Sequence, residues 1–271
     1  MRMSYDLMVF EKSKAPEGEK DFLSWYREQT EQVEEHSYDN PSVSSPALQE
    51  FFYILKDIFP PMNGASAPDS ERLEKERGLE ERLCDYCIGR DIIYLSFSYS
   101  VAEQARDIVR RTAWFTNAGF FDLGAESRPC FFNEVREHYL EGEWFRRMEV
   151  SDFAQVREKL EKMTASNRSY LFLEDRIGNY IQIGGCRNAF TVEVRRYTGP
   201  VSYIHQKAGY RTGEEVSQGA AQTEGTVYIG GRSVKVRPAQ VLTLDTAIVL
   251  FQDFYKGTGG EDLVDWADME L

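Results

Sequence analysis

Few side chains in this sequence can move a proton or attack an electrophile at neutral pH. Histidine, the usual acid–base group, occurs only as His36, His138 and His205, and none lies in a motif that also supplies a nucleophile and an orienting carboxylate. Glu34-Glu35-His36, with Asp39 close behind, has metal-binding residue types. Adjacent positions on a helix point in different directions, however, so a solvated helix end is the plainer reading. Cys84-Asp-Tyr-Cys87 has the spacing of a redox or zinc pair. A structural zinc usually needs a second pair, whereas Cys130 and Cys186 are isolated, and a redox pair should open a helix, whereas strand-like sequence follows here. Ordinary thiols are expected. Gly184-Gly185 and Gly230-Gly231 precede no helix and lack the lysine and hydroxyl of a phosphate loop, so both read as turns. Phe59-Pro60-Pro61-Met62-Asn63-Gly64 fixes an extended backbone beside a turn former, either a rigid helix stop or one wall of a ligand groove. No catalytic residue, metal ligand or cofactor is assigned, and the chain is not expected to be an enzyme.

The elements that position these groups follow from periodicity. With 271 residues, 42% of them hydrophobic, the chain is long for one domain and apolar enough for two cores. YDLMVF at 5–10 reads as a strand, and Phe22, Trp25, Tyr26 and Val33 as one helix stripe. Ser45-Pro46 opens a second helix carrying Leu48, Phe51, Phe52 and Leu55, which Pro60-Pro61 ends. Residues 63–82 are charged and loop-like. Two strands follow in CDYCIGRDIIYLSFSY, with Ile93, Leu95 and Phe97 on the buried side, and Ser100-Val-Ala-Glu103 reads as a capping box for a helix that stops at Asn117-Ala-Gly119. Another strand, Phe120–Leu123, completes β-α-α-β-β-α-β. Apart from one extra helix this is the split βαβ order of a ferredoxin-like α/β sandwich, expected for residues 1–125.

Residues 126–143 show no period and contain Pro129, so they are expected to connect two domains. From 144 onward strands dominate, broken by a helix that Ser151 could cap and a later one opened by Thr243 and ended by Gly257; Gly230-Gly231 makes a hairpin turn. Residues 144–271 are therefore expected to form an antiparallel-sheet domain, making the whole chain α+β.

Charge narrows the partners. Formal net charge is 32 − 45 = −13, which opposes a nonspecific grip on nucleic acid or anionic lipid and favours a basic protein partner. No run reaches the roughly 18–20 apolar residues of a membrane span, and MRMSYDLMVFEKSK lacks the apolar block of a signal peptide, so a cytoplasmic protein with reduced cysteines is expected. Between Arg168 and Arg237 ten basic residues face six acids, whereas Gly257–Leu271 holds five acids and no base. Within that acidic end Leu263, Val264, Trp266 and Met269 argue that it docks, on its own domain or on a partner.

YLFLEDRIGNYIQIGGCRNAFTVEVRRY at 170–197, Leu242-Thr-Leu-Asp-Thr-Ala247 with its helix ending Phe254-Tyr-Lys-Gly257, and Asp265-Trp266 resemble a family of small bacterial immunity proteins, over about the last 120 residues. Residues 207–226 are longer than that family leads one to expect. The amino-terminal half resembles bacterial proteins that open with Ser-Tyr-Asp-Leu-Met-Val-Phe and carry Phe-Pro-Pro-Met-Asn-Gly, a likeness that brings no function. The immunity resemblance implies a protein that binds a cognate polymorphic toxin, a nuclease or deaminase with a basic substrate surface, and covers its active site. Asp262, Asp265, Asp268 and Glu270 around Trp266 are then the expected partner-binding residues, because an aromatic anchor ringed by carboxylates suits a basic groove. The competing expectation is a small-molecule-binding or enzymatic protein with a pocket in the amino-terminal domain, near Pro60-Pro61 or Cys84.

Overall fold

The structure, a computed structural model, describes residues 4–31, 33–124, 128–132, 137–164, 167–211, 225–258 and 263–269. The fold is α+β, with antiparallel sheets. The chain divides into unit 1, Met1–Asn133 with Gly199–Val201, and unit 2, Glu134–Thr198 with Ser202–Leu271.

Unit 1 runs β1 (Ser4–Phe10), α1 (Glu19–Glu31), α2 (Pro46–Leu55), α3 (Ser70–Lys75), β2 (Asp85–Ile88), β3 (Ile92–Ser98), α4 (Ala102–Phe115) and β4 (Gly119–Asp122). The sheet order β2-β3-β1-β4, every pairing antiparallel, is that of the ferredoxin-like sandwich. The extra helix also has a place. Along β1, Leu7 and Val9 pack with Phe51, Leu55, Ile108 and Val109 of α2 and α4. Met8 and Phe10 point the other way, into Phe22, Trp25 and Tyr26 of α1. Helices thus cover both faces, which is why β1 is apolar without alternation. Each buried side chain of this size contributes about 1.5–3 kcal/mol.

Helix starts differ from expectation in two places. Ahead of α4 the chain first tightens into a 3-10 turn at Tyr99–Val101, whose amide at Ser100 is accepted by the Ser98 hydroxyl; Val101 stands at the N-cap of α4 with no side-chain bond. The Ser100–Glu103 capping box is therefore not formed. In unit 2 the cap of α5 is Asp152 rather than Ser151: its carboxylate accepts from the Ala154 amide at 2.8 Å, and Gln155 accepts back from the Asp152 amide. Asp152→Ala should accordingly cost about 1 kcal/mol in denaturant unfolding of unit 2, and Ser151→Ala less than half of that.

Unit 2 consists of β5 (His138–Gly142), β6 (Phe145–Val150), α5 (Phe153–Glu161), β7 (Tyr170–Asp175), β8 (Tyr180–Cys186), β9 (Ala189–Tyr197), β10 (Tyr203–Gly209), β11 (Thr226–Ile229), β12 (Arg232–Lys235), α6 (Leu244–Lys256) and β13 (Asp265–Asp268). Strand β5 occupies part of the 126–143 stretch assigned above to a connector. With two inward residues, His138 and Leu140, before Gly142, it is too short to show a period. The seven-stranded sheet has the order β13-β10-β9-β8-β7-β5-β6, and β11-β12 is a separate two-stranded ribbon. The sheet is more than a meander: β7 returns after α5 to pair with β5, and β13 comes back from the end of the chain to pair with β10.

Helices α5 and α6 cover one face of this sheet. Leu140, Leu173, Ile181 and Val194, aligned across four strands, pack with Val156, Leu160, Ala247 and Phe251. Thr243 caps α6 by accepting from the Thr246 amide, Asn188 Oδ1 takes the Leu244 amide at 2.9 Å, and Gly257 closes the helix in the left-handed region. Among the described residues no helix is long and apolar enough to cross a membrane.

Candidate functional site

Among the described residues no helix packs on the other face of the unit 2 sheet, whose side chains come from the alternate positions of the same strands. Across it run Tyr139, Glu174, Tyr180, Arg195 and His205 in one register row, and Phe172, Gln182, Glu193 and Lys207 in the next. The β11-β12 ribbon covers the far end of this face. There Gly184 leaves room for Ile229 of the β11-β12 ribbon, whose side chain would lie 2.4 Å from a Cβ at that position, and the Gly230 amide donates to Ser169 Oγ.

Arg195 is the centre of the rest of this face. Its guanidinium lies 4.4 Å from the Tyr180 ring centroid, 5.2 Å from Tyr197 and 5.5 Å from Tyr203, and it donates to the Gly178 carbonyl at 3.2 Å. That carbonyl belongs to the β7–β8 turn, where the Asp175 carboxylate accepts from the amides of Ile177 and Asn179 and from the Asn179 side chain. Burial pushes the Asp175 carboxyl above its ordinary value, and these hydrogen bonds oppose the shift. Beside Arg195, Glu193 accepts from Lys207 at 2.7 Å and from Gln182, and stands 3.5 Å from His205 Nε2. Farther along, Arg147 lies over the Tyr139 ring at 4.4 Å and pairs with Glu174. Burial also raises the Tyr180 phenol, against the pull of Arg195, so this ring presents a neutral hydroxyl. The arrangement holds long, rotamer-rich side chains in fixed places, which lowers the ordering cost of binding. Sequence reading missed it because most of its pairs join different strands. The legible trace was the alternation Glu193-Arg195-Tyr197 followed by Tyr203-His205-Lys207.

Asp265–Asp268 docks on its own domain as the edge strand β13. Trp266 pairs with Ala208, packs partly buried against the helix-covered core and stacks with Arg196 at 5.7 Å. Asp265 shares its side of the strand with Ala267 and meets Arg211 at 3.3 Å; Asp268, on the Trp266 side, accepts from Gln206 at 2.9 Å. The tryptophan and Asp265 thus fall on opposite faces and do not make one patch. Asp262 and Glu270 lie outside the described residues.

In unit 1, His36 pairs with Glu34, which Arg90 also approaches at 3.5 Å. His138 is buried on β5 against Phe254 and Tyr255. Among the described residues no group of three or more His, Cys, Asp or Glu gathers as a metal site would require. Cys84, Cys130 and Cys186 are buried, whereas Cys87 is exposed beside a cavity of about 460 Å³ lined by Tyr26, Tyr38 and Tyr94. Burial raises the Cys87 thiol, and Asp85 and Glu34 add to the shift; burial raises Cys84 much further. Native protein should therefore take up one alkyl group near neutral pH, slowly and at Cys87, whereas unfolded protein takes up four. Intact-mass spectra and peptide mapping would check this, and rapid modification of Cys84 would contradict the burial.

Compared with protein-family models, with curated proteins and with solved structures, the chain matches none.

Proposed function

We propose that the chain is an immunity protein, which binds a toxin of its own cell or of a sibling in the cytoplasm and covers the toxin's active site. The observation that supports this reading is the sheet face of unit 2 that carries Arg195 and its ring of tyrosines. Tyrosine and arginine are the residue types that dominate protein–protein contact energy, and here Tyr139, Tyr180, Tyr203, Arg147 and Arg195 are held by stacking and paired charges. Tyr203 remains 41% exposed. A rigid, partly exposed aromatic surface of this kind loses little entropy on docking. The net charge of −13 adds attraction for a basic nuclease or deaminase, and the edge strand β13 supplies Asp265 at the rim. Because Trp266 is engaged with its own core, the acidic end contributes charge and a strand edge, and the aromatic anchors come from β8 and β10. The test is coexpression of the full chain with the toxin encoded beside its gene. Survival of the cells and co-purification of the two proteins are expected; death with no complex would reject the reading.

A further inference from the structure

Unit 1 has a feature the inhibitory reading does not use. A cavity of about 180 Å³ is bounded by α2, β2 and the loops at 39–41 and 61–66, with Phe52, Tyr53 and Tyr86 among its walls and Asp39, Asp85 and Asn63 among its polar lining groups. Its shape is fixed by backbone bonds. The Cys84 amide donates to Pro60 O and the Met62 amide to Cys84 O, both at 2.9 Å, which laces the double-proline run to the start of β2. The Ile88 amide holds Tyr38 O at 2.9 Å, and the Tyr86 hydroxyl holds Phe59 O at 2.7 Å. Gly64 turns the loop at φ +83°, where a Cβ would press on the Asp39 side chain at 3.2 Å.

The polar lining is acidic and sits at the solvent-exposed mouth, above the buried rings of Phe52 and Tyr86. Asp39 takes a hydroxyl from Ser37, but no cation is among the lining residues. Among the described residues the side chains of Asp85, Asn63 and Ser66 make no hydrogen bond, and Asp85 makes no ion pair. An anion would meet two carboxylates, and an apolar guest would gain nothing from them. A bare metal ion would want more ligands than two carboxylates, one from a loop and one from the start of β2. Aromatic faces beside carboxylates suit an organic cation, which gains from ring quadrupole and charge together. The size also fits a small guest, since a cavity of about 150 Å³ can hold benzene. We propose that this cavity binds a compact alkylammonium or alkylguanidinium group, its charged head held by Asp39 and Asp85 and its carbon chain laid on Phe52, Tyr53 and Tyr86. The group belongs either to a free amine or to a lysine or arginine side chain of another protein.

The test is a titration of the full chain with n-butylguanidinium and n-butylammonium, followed by amide chemical shifts, with n-butanol and butyrate as controls. Both cations should saturate in the millimolar range and move resonances around Asp39, Asn63 and Asp85, and the controls should not. Asp39→Asn and Asp85→Asn should each weaken binding by about tenfold or more. Ser66→Phe, which leaves both carboxylates in place, should block it, and unchanged spectra elsewhere would show that each variant is folded. A capped Gly-Arg-Gly peptide separates the sources: competition with n-butylguanidinium assigns the site to a protein side chain, and binding of the free cations alone assigns it to a small amine. Absence of saturable shifts, equal binding of n-butanol, or full affinity in both Asn variants would overturn the proposal. Any of these outcomes would leave the toxin-binding reading, which rests on unit 2, unaffected.

Discussion

Replacing Gly185 with alanine should destabilise unit 2 by about 4 kcal/mol or more, enough to leave it largely unfolded under conditions where the parent is native. Gly185 stands at φ +141°, a region open essentially to glycine alone. A Cβ there would lie 2.3 Å from the Ala189 carbonyl oxygen and 2.7 Å from the Phe190 Cα. Both are backbone atoms of the paired strand β9, so no side chain can swing away to relieve the collision. Moving the backbone would break the Gly185–Phe190 pairing and the 2.8 Å bond from the Gly185 amide to Ser169 O. Gly230→Ala is the matched control. Its φ is +57°, with no atom within 4 Å of the added carbon, so it should cost only about 1–2 kcal/mol of left-handed backbone strain. Urea unfolding, read separately for the two units, would distinguish the variants; equal effects would show that the close approach of β8 and β9 is not as described.

The second large effect concerns binding. Under the proposed function, the double substitution Tyr180→Ala with Tyr203→Ala should weaken toxin binding by about 2–4 kcal/mol, or about 30- to 700-fold. Removing both rings takes away contact area and also frees the Arg195 guanidinium that they hold. Arg195→Lys should weaken binding too, because an ammonium keeps the charge but not the planar stack. Val249→Ala, on an exposed position of α6 on the opposite side of the sheet, should have no effect. Charge reversal at Asp265 and Asp268 should act differently, slowing association at low salt and fading as salt is added. A large, salt-insensitive loss from these two substitutions, with none from the tyrosines, would move the anchor from the Arg195 face to β13.

Local patterns made most of the fold legible and left most of the site hidden, for one physical reason. A helix stripe such as Leu48, Phe51, Phe52 and Leu55, or the buried alternation of Ile93, Leu95 and Phe97, lies within one element and is read directly. The hairpin at Gly230-Gly231 and the left-handed ends at Asn117 and Gly257 are likewise single-position effects. The cap at Ser98 and the strand at 138–142 were misread because a 3-10 turn shifts a helix start by a residue or two, and because five residues do not display a period. The cross-strand cluster of Tyr180, Arg195, Glu193 and His205 depends on register between β8, β9 and β10, which no single segment specifies. For Trp266 the sequence leaves docking on its own domain and docking on a partner both open, and its ring of carboxylates suits a basic groove. Pairing with Ala208 instead turns it towards the core, where the indole covers apolar surface and meets Arg196.

Under the proposed function the chain occupies a toxin's active site, which the toxin's activity during titration with the intact protein would report. The account predicts that activity falls linearly to zero at one equivalent, with the Tyr180/Tyr203 double variant requiring a large excess. Undiminished activity at saturating protein, whether or not the two associate, would contradict it.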